Sequence, residues 1–257
     1  MNGAFYIGAL GLDAQQRALD VVANNIANIN TTGFKRQAVR FSELVSPVRD
    51  GQDLPVAGSD QALGLSGVSI GATTHVWSQG EITQTGQPLD LAINGDGFLE
   101  LIGSAGRTLL WRGGTLKVNA DGYLAASDGT VLRAMISVPQ GSSNLIIGAD
   151  GAVSVTPDGS TQAKQIGQLD IVLAKDLDGL ADDGSGYYEA QDPSTIYTVK
   201  PGEEGGGSLV QGGIETGNVQ LTNEMVTLML LQRAYGANAQ VVQAADQLMS
   251  IANDLRH

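Results

Sequence analysis

Two hydrophobic series with the same spacing stand at opposite ends of the chain, and they constrain the fold more than any other feature. Phe5, Leu12, Leu19 and Ile26 recur every seven residues, with Val22 and Ile29 three positions after the last two, which draws an apolar stripe along one helix. That helix is expected from about Asn2 to Asn30-Thr31-Thr32-Gly33, where glycine permits the left-handed conformation that ends a helix. At the other end Leu221, Leu228, Tyr235, Val242 and Met249 form a second series, and Ala234, Val241, Leu248 and Leu255 run beside it, widening the stripe. One helix over 222–256 is predicted, roughly 50 Å long at 1.5 Å per residue, capped by Asn218 or Thr222 and with Glu224 in its first turn. An apolar stripe left wet forgoes about 25 cal/mol per Å². The two ends therefore need each other or a neighbour, and periodicity leaves open both a private antiparallel hairpin and contact with further copies. Pairing the ends uses one stripe on each, and the wider C-terminal stripe keeps another contact face.

Between the ends the period shortens to two or to brief apolar runs, which predicts strands at Val68–Trp77, Leu89–Ile93, Phe98–Ile102, Thr108–Trp111, Leu145–Ile147, Ala152–Val155, Leu169–Ala174 and Ile196–Val199. Asn94-Gly95, Asp121-Gly122, Asp128-Gly129, Asp150-Gly151 and Asp158-Gly159 are expected to close tight hairpins. The expected fold class is α+β: long N- and C-terminal helices pairing as a coiled-coil-like hairpin, with a central antiparallel β domain. The expected organisation is an N-terminal helical segment over 1–36, a connector over 37–80, the β domain over 81–212 and a C-terminal helix over 213–257. Two stretches, Ser46–Gly67 and Pro201–Gly207, carry the proline and glycine of exposed connectors.

The formal net charge of −13 argues against a nucleic-acid partner, because neutralising phosphates takes clustered Lys and Arg. The absence of cysteine excludes disulfides and thiolate metal sites. The chain start lacks a basic n-region and charges at Asp13, Arg17 and Asp20 follow, so it does not read as a secretory signal. No stretch reaches the roughly 18 apolar residues of a membrane span, and membrane insertion is not expected. Asp182-Asp183 and Glu203-Glu204 read as solvated loop acids, Asp176-Leu177-Asp178-Gly179 as a turn that lacks EF-hand spacing, and His75 as structural. No nucleophile, base and orienting group fall together, so neither an enzyme nor a cofactor is expected. Asn24, Asn25 and Asn28 crowd the end of the first helix, where they cost propensity; helix termination and amide bonding between copies are both open readings.

Ala23-Asn24-Asn25-Ile26-Ala27-Asn28 with Asn30-Thr31-Thr32-Gly33-Phe34-Lys35-Arg36, preceded by Gly11-Leu12-Asp13-Ala14-Gln15-Gln16, resembles the N-terminal signature of flagellar basal-body rod and hook proteins. Ser78-Gln79-Gly80 and the run from Pro88 to Phe98 are similar to the entry of that family's central domain. Gly213-Ile214-Glu215-Thr216-Gly217-Asn218-Val219, Gln232-Arg233-Ala234-Tyr235 and Asp246-Gln247-Leu248-Met249 resemble its C-terminal segment. Gly217 departs from the serine more usual there, which would loosen the cap of the C-terminal helix. The resemblance implies a structural axial subunit that assembles with itself into a helical homopolymer, with other flagellar rod and hook proteins as partners. It also implies export through the flagellar type III apparatus and a place in the basal body. Length and the long segment between Arg36 and Ser78 are most like the distal-rod member; a proximal-rod subunit comes second and an extracellular adhesin or glycan-binding β module is the competing class. The expected assembly residues are Leu12, Leu19, Asn25, Ile26, Asn28, Phe34, Leu228, Tyr235, Val242 and Met249.

Overall fold

The computed structural model describes residues 2–44, 67–159, 162–184, 186–203 and 205–254. All of the expected connector Ser46–Gly67 except Gly67, together with Glu204, Leu255 and the side chains of Phe5 and Met249, lies outside the described residues. The chain forms two compact units: residues 1–27, 37–76 and 220–257 make the first, and residues 28–36 and 77–219 the second. It therefore passes between them at Ala27/Asn28, Arg36/Gln37, Val76/Trp77 and Val219/Gln220.

In the first unit, α1 (Asn2–Ala27) lies antiparallel to α2 (Leu221–Asp254). The register follows from three pairs, since Gly8 faces Val242, Gly11 faces Asn238 and Asn25 faces Glu224. At Gly8 an added Cβ would stand 2.8 Å from Val242 Cγ2, so the lost side chain is what lets the helices approach there. A two-stranded antiparallel ribbon, β1 (Gln37–Leu44) with β2 (Gly67–His75), packs on α1 as well.

The fold-class expectation is corrected here. The described residues hold two α-helices and eighteen strands in five sheets, so this is a mainly β chain, and its helices are not a two-partner coiled-coil hairpin. Among the described side chains of α1 those buried are Ala14, Ala18, Val22 and Asn25, at the 4-4-3 spacing of a straight α-helix. Leu12, Leu19 and Ile26 are only half-buried, lying roughly 100° round the helix at 100° per residue. The physical reason is that α1 serves two neighbours, α2 and the ribbon, and the line buried most deeply is small enough to admit both.

The helix ends also differ from expectation. α2 starts at Leu221, and Gln220 rather than Asn218 or Thr222 precedes it, its carbonyl accepting from the Asn223 and Glu224 amides. Gly217 lies away from that cap; its added Cβ would meet the carbonyl oxygens of Ile29 and Asn28 at 3.0 and 3.2 Å.

The second unit is antiparallel throughout. Its main sheet runs Leu180–Asp182, Tyr187–Ala190, Thr108–Trp111, Leu99–Ile102, Val131–Leu132, Leu124–Ala126, Gly113–Val118, Asp90–Asn94 and Ser208–Gln211 in spatial order. Ser143–Ile147, Ala152–Thr156 and Lys164–Gln168 form a three-stranded sheet, and the pairs Ile171–Ala174 with Ile196–Val199 and Ile82–Gln84 with Gly213–Glu215 complete it. The Asp-Gly turns join strands that do pair, but Asn94-Gly95 joins strands that pair with other partners, so the hairpin expected there is absent.

One core gathers Leu91, Ile93, Leu101, Leu124, Val153 and Ile171 among others. A second, smaller cluster packs Phe98, Leu110, Val172, Leu180 and Tyr188 against Trp77, with Trp77 edge-on to both Phe98 and Tyr188. Burial, then the charge of Asp182, pushes the Tyr188 phenol far above its ordinary range, and burial, then a hydrogen bond to Asp128, does the same for Tyr187. A folded-state pKa above the unfolded one supports folding below the unfolded pKa and loses that support as pH climbs past it. Stability should accordingly begin to fall above about pH 10, the free phenol value. An absorbance titration should find two of the six tyrosines un-ionised until the β unit unfolds; six phenols titrating together in the folded protein would contradict this packing.

Candidate assembly site

Each unit ties together the residues beside the four chain crossings with its own polar network. In the first unit the hub is Asn25, fully buried on the last turn of α1. Its Oδ1 accepts from the Gln37 amide at 2.8 Å, and its Nδ2 donates to the Gln37 carbonyl at 2.8 Å and to Glu224 Oε2 at 3.3 Å. The side-chain amide thus mimics a peptide group pairing with one residue of β1. The Gln37 side chain in turn meets His75 Nε2 at 3.3 Å. Glu224, also fully buried, sits in the first turn of α2, where the helix dipole favours an anion.

In the second unit the centre is Glu215. Its Oε1 accepts from Lys35 Nζ at 2.7 Å and from the Gly80 amide at 2.9 Å, while its Oε2 accepts from Arg112 Nε at 2.9 Å and Nη2 at 2.8 Å. Arg112 also donates to the carbonyls of Gly95 and Gly97, and Lys35 Nζ to that of Ser78. Burial and the neighbouring Arg112 push the Lys35 ammonium below its ordinary pKa against the pull of Glu215. Around this cluster the Glu215 carbonyl accepts from the Gly33 amide, and Asn218 accepts from the Arg36 amide and donates to Ser78. Gly80 has no room for a side chain, because an added Cβ would lie 1.9 Å from the Thr216 carbonyl oxygen.

The expected assembly residues separate into several groups. Leu228 and Val242 are half-buried and Val242 lies against Gly8, so Val242 is spent at least partly on the pairing inside the chain. Leu12, Leu19 and Ile26 flank the buried line of α1, and Tyr235 is 38% exposed. The Asn25 amide is fully used within the chain. Asn28 is half-buried in the turn after α1, its Oδ1 accepting from Thr31 Oγ1, the arrangement of a helix terminator. Phe34 is buried in the second unit.

What the heptad spacing did not single out is the side of α2 turned away from Glu224, Asn238 and Val242. There Met225, Val226, Met229, Leu230 and Ile251 are 46–60% exposed, and Val241 and Leu248 lie exposed at its margin. The network residues Lys35, Arg112 and Glu215 were missed as well. Lys35 and Glu215 lie inside motifs that resemble the family, but an isolated charge in a sequence gives no sign of burial. The Asp176 loop is the expected turn, its Oδ1 accepting from the Asp178 and Gly179 amides. Among the described residues no cluster of His, Asp or Glu could hold a metal ion, and no helix is long and apolar enough to cross a membrane.

Three family models match the chain: "Flagella basal body rod protein" over residues 5–35, "Flagellar hook protein FlgE/F/G D1 domain" over 92–155 and "Flagellar basal body rod FlgEFG protein C-terminal" over 210–255. The flagellar basal-body rod protein FlgG of Buchnera aphidicola subsp. Schizaphis graminum is 34% identical over 99% of this chain and 100% of its own length. FlgG of Caulobacter vibrioides is 34% identical over 98% of this chain and 99% of its own, and FlgF of the same bacterium 31% identical over 96% and 95%. The chain belongs to the flagellar basal-body rod protein family, and it is a structural subunit of the bacterial flagellar basal body.

If Asn25 serves the fold of its own chain, Asn25→Ala strands the Gln37 amide and carbonyl beside a buried Glu224 carboxylate. The loss should be about 2–3 kcal/mol of stability in the monomer, read from denaturation followed by helical circular dichroism. Asn28→Ala should cost less than about 1 kcal/mol. Equal costs would contradict these roles.

Proposed function

We propose that copies of this chain polymerise helically through the outer apolar face of α2, forming a hollow shaft at the distal-rod position that transmits torque to the hook. The observation that carries this reading is the exposure of Met225, Val226, Met229, Leu230, Val241, Leu248 and Ile251 on one helix. An apolar patch on the side of a helix away from its own partner marks an interaction site, because covering it recovers free energy that is forgone while it is wet. An open helical polymer also needs unlike patches that meet on successive copies, and α1 and α2 present different surfaces. Leu12, Leu19, Ile26 and Tyr235, all incompletely buried, would border the contact, with Met249 on the same helix. The subunit would reach its place through the flagellar type III export apparatus, meet other rod and hook proteins at the shaft ends, and carry no enzymatic activity. The FlgG relatives favour the distal over the proximal position, and family membership favours the rod over an adhesin.

The double variant Met229→Asp with Leu230→Asp places charge on the outer face and leaves the contacts to α1 untouched. It should keep the thermal midpoint of the monomer while abolishing sedimentable polymer and failing to restore motility to a strain lacking the protein. Normal polymer and motility would sink this assignment of the face.

A further inference from the structure

We propose that Glu215 is a positioning residue that makes docking of the segment after α1 conditional on arrival of the segment that leads into α2. Lys35 and Arg112 are buried to 1% and 5% exposure and are paired through the same carboxylate, which lies 180 and 103 residues later in the chain. Two cations taken out of water without a counter-charge cost several kcal/mol each, and here each also repels the other.

Three backbone bonds of the segment depend on the same late stretch of chain. The Gly33 amide pairs with the Glu215 carbonyl, the Phe34 carbonyl with the Asn218 amide, and the Arg36 amide with Asn218 Oδ1. Before residue 215 is in place the segment has the Lys35 bond to Ser78, the bond between the Lys35 backbone and the Tyr188 phenol, and the burial of Phe34. Among earlier residues the charge of Asp96 also favours the Lys35 ammonium, but it acts more weakly than Glu215 and without the hydrogen bonds that Glu215 accepts from both cations. Residues 28–36 and the stretch 215–218 therefore dock together within the β unit. This coupling acts within a single chain, whether or not copies assemble.

Hydrogen exchange on the full-length protein, resolved at the Gly33, Arg36 and Gly80 amides, tests it. Glu215→Gln keeps the shape but sets an NH₂ group against one of the cations; exchange at these amides should rise roughly 100-fold or more, while Leu99–Ile102 and Thr108–Trp111 stay protected. Adding Lys35→Met to Glu215→Gln removes one of the two cations and should restore at least about tenfold of that protection. Lys35→Met alone leaves Arg112 and Glu215 as a neutral pair and should keep the protection of the unaltered protein. If Glu215→Gln prevents folding altogether, the double variant should recover it. Unchanged exchange in Glu215→Gln, no recovery in the double variant, or loss of protection in Lys35→Met alone would overturn the proposal, since each would mean that shape rather than charge holds the segment.

Discussion

Full bonding of the buried charge and amide groups beside the chain crossings is the constraint on which the rest of the structure depends, and each unit meets it with its own network. In the β unit one carboxylate, Glu215, neutralises Lys35 and shares Arg112 with the carbonyls of Gly95 and Gly97. In the helical unit one amide, Asn25, satisfies a complete backbone group of Gln37 and reaches Glu224. Both devices follow the same logic: a buried polar group costs free energy unless it is fully bonded, so the bonding partners define one geometry and penalise every other. Apolar packing at these positions would tolerate sliding, whereas a four-bond carboxylate does not.

That logic separates side chains that the chain itself uses from side chains that it leaves exposed. Asn25, Asn28 and Phe34 belong to the first group, since the chain itself uses their side chains. The apolar side chains on the outer face of α2 lie exposed. The two faces of α2 are distinct in kind: the inner one meets glycines and small residues on α1, as Val242 meets Gly8 and Asn238 meets Gly11, while the outer one carries large flexible or branched side chains such as Met225, Met229 and Leu230. Glycine and alanine permit a fixed close approach inside a chain. Methionine and leucine leave more apolar area exposed, and methionine adapts to irregular gaps.

The long helices and much of the strand pattern were legible in the sequence because period and turn chemistry are local. Thr108–Trp111 and Ile196–Val199 coincide with the predicted strands to the residue, and the Asp-Gly turns fall where expected. The ribbon strand β1, the short strands Ile82–Gln84 and Gly213–Glu215, and the strand Tyr187–Ala190 were not read, since their burial comes from partners distant in sequence. Asn94-Gly95 misled for the same reason: a turn dipeptide fixes the local reversal but not which strand the chain pairs with next. On the helices, a seven-residue repeat identified α-structure and misplaced the buried line, because that repeat measures where apolar residues recur rather than how many neighbours share the helix. Glu215, Lys35 and Arg112 were illegible as a cluster; nothing in a charge's local sequence tells whether its counter-charge lies 180 residues away.

The distribution of apolar burial also divides the two units energetically. The β unit buries whole leucines, isoleucines and aromatics in its cores, each worth about 1.5–3 kcal/mol. The deepest line of α1 consists of two alanines, one valine and one asparagine, and α2 buries fully only Glu224 among its described side chains. Alanine brings little area out of water, so the helical unit holds a smaller share of the folding free energy than its length suggests. Stability in such a chain is unequal: the β unit, with the larger apolar cores, holds the greater share. The wet apolar surface of α2 then has a physical use. Covering that surface would add apolar burial that the helical unit lacks on its own, at about 25 cal/mol per Å².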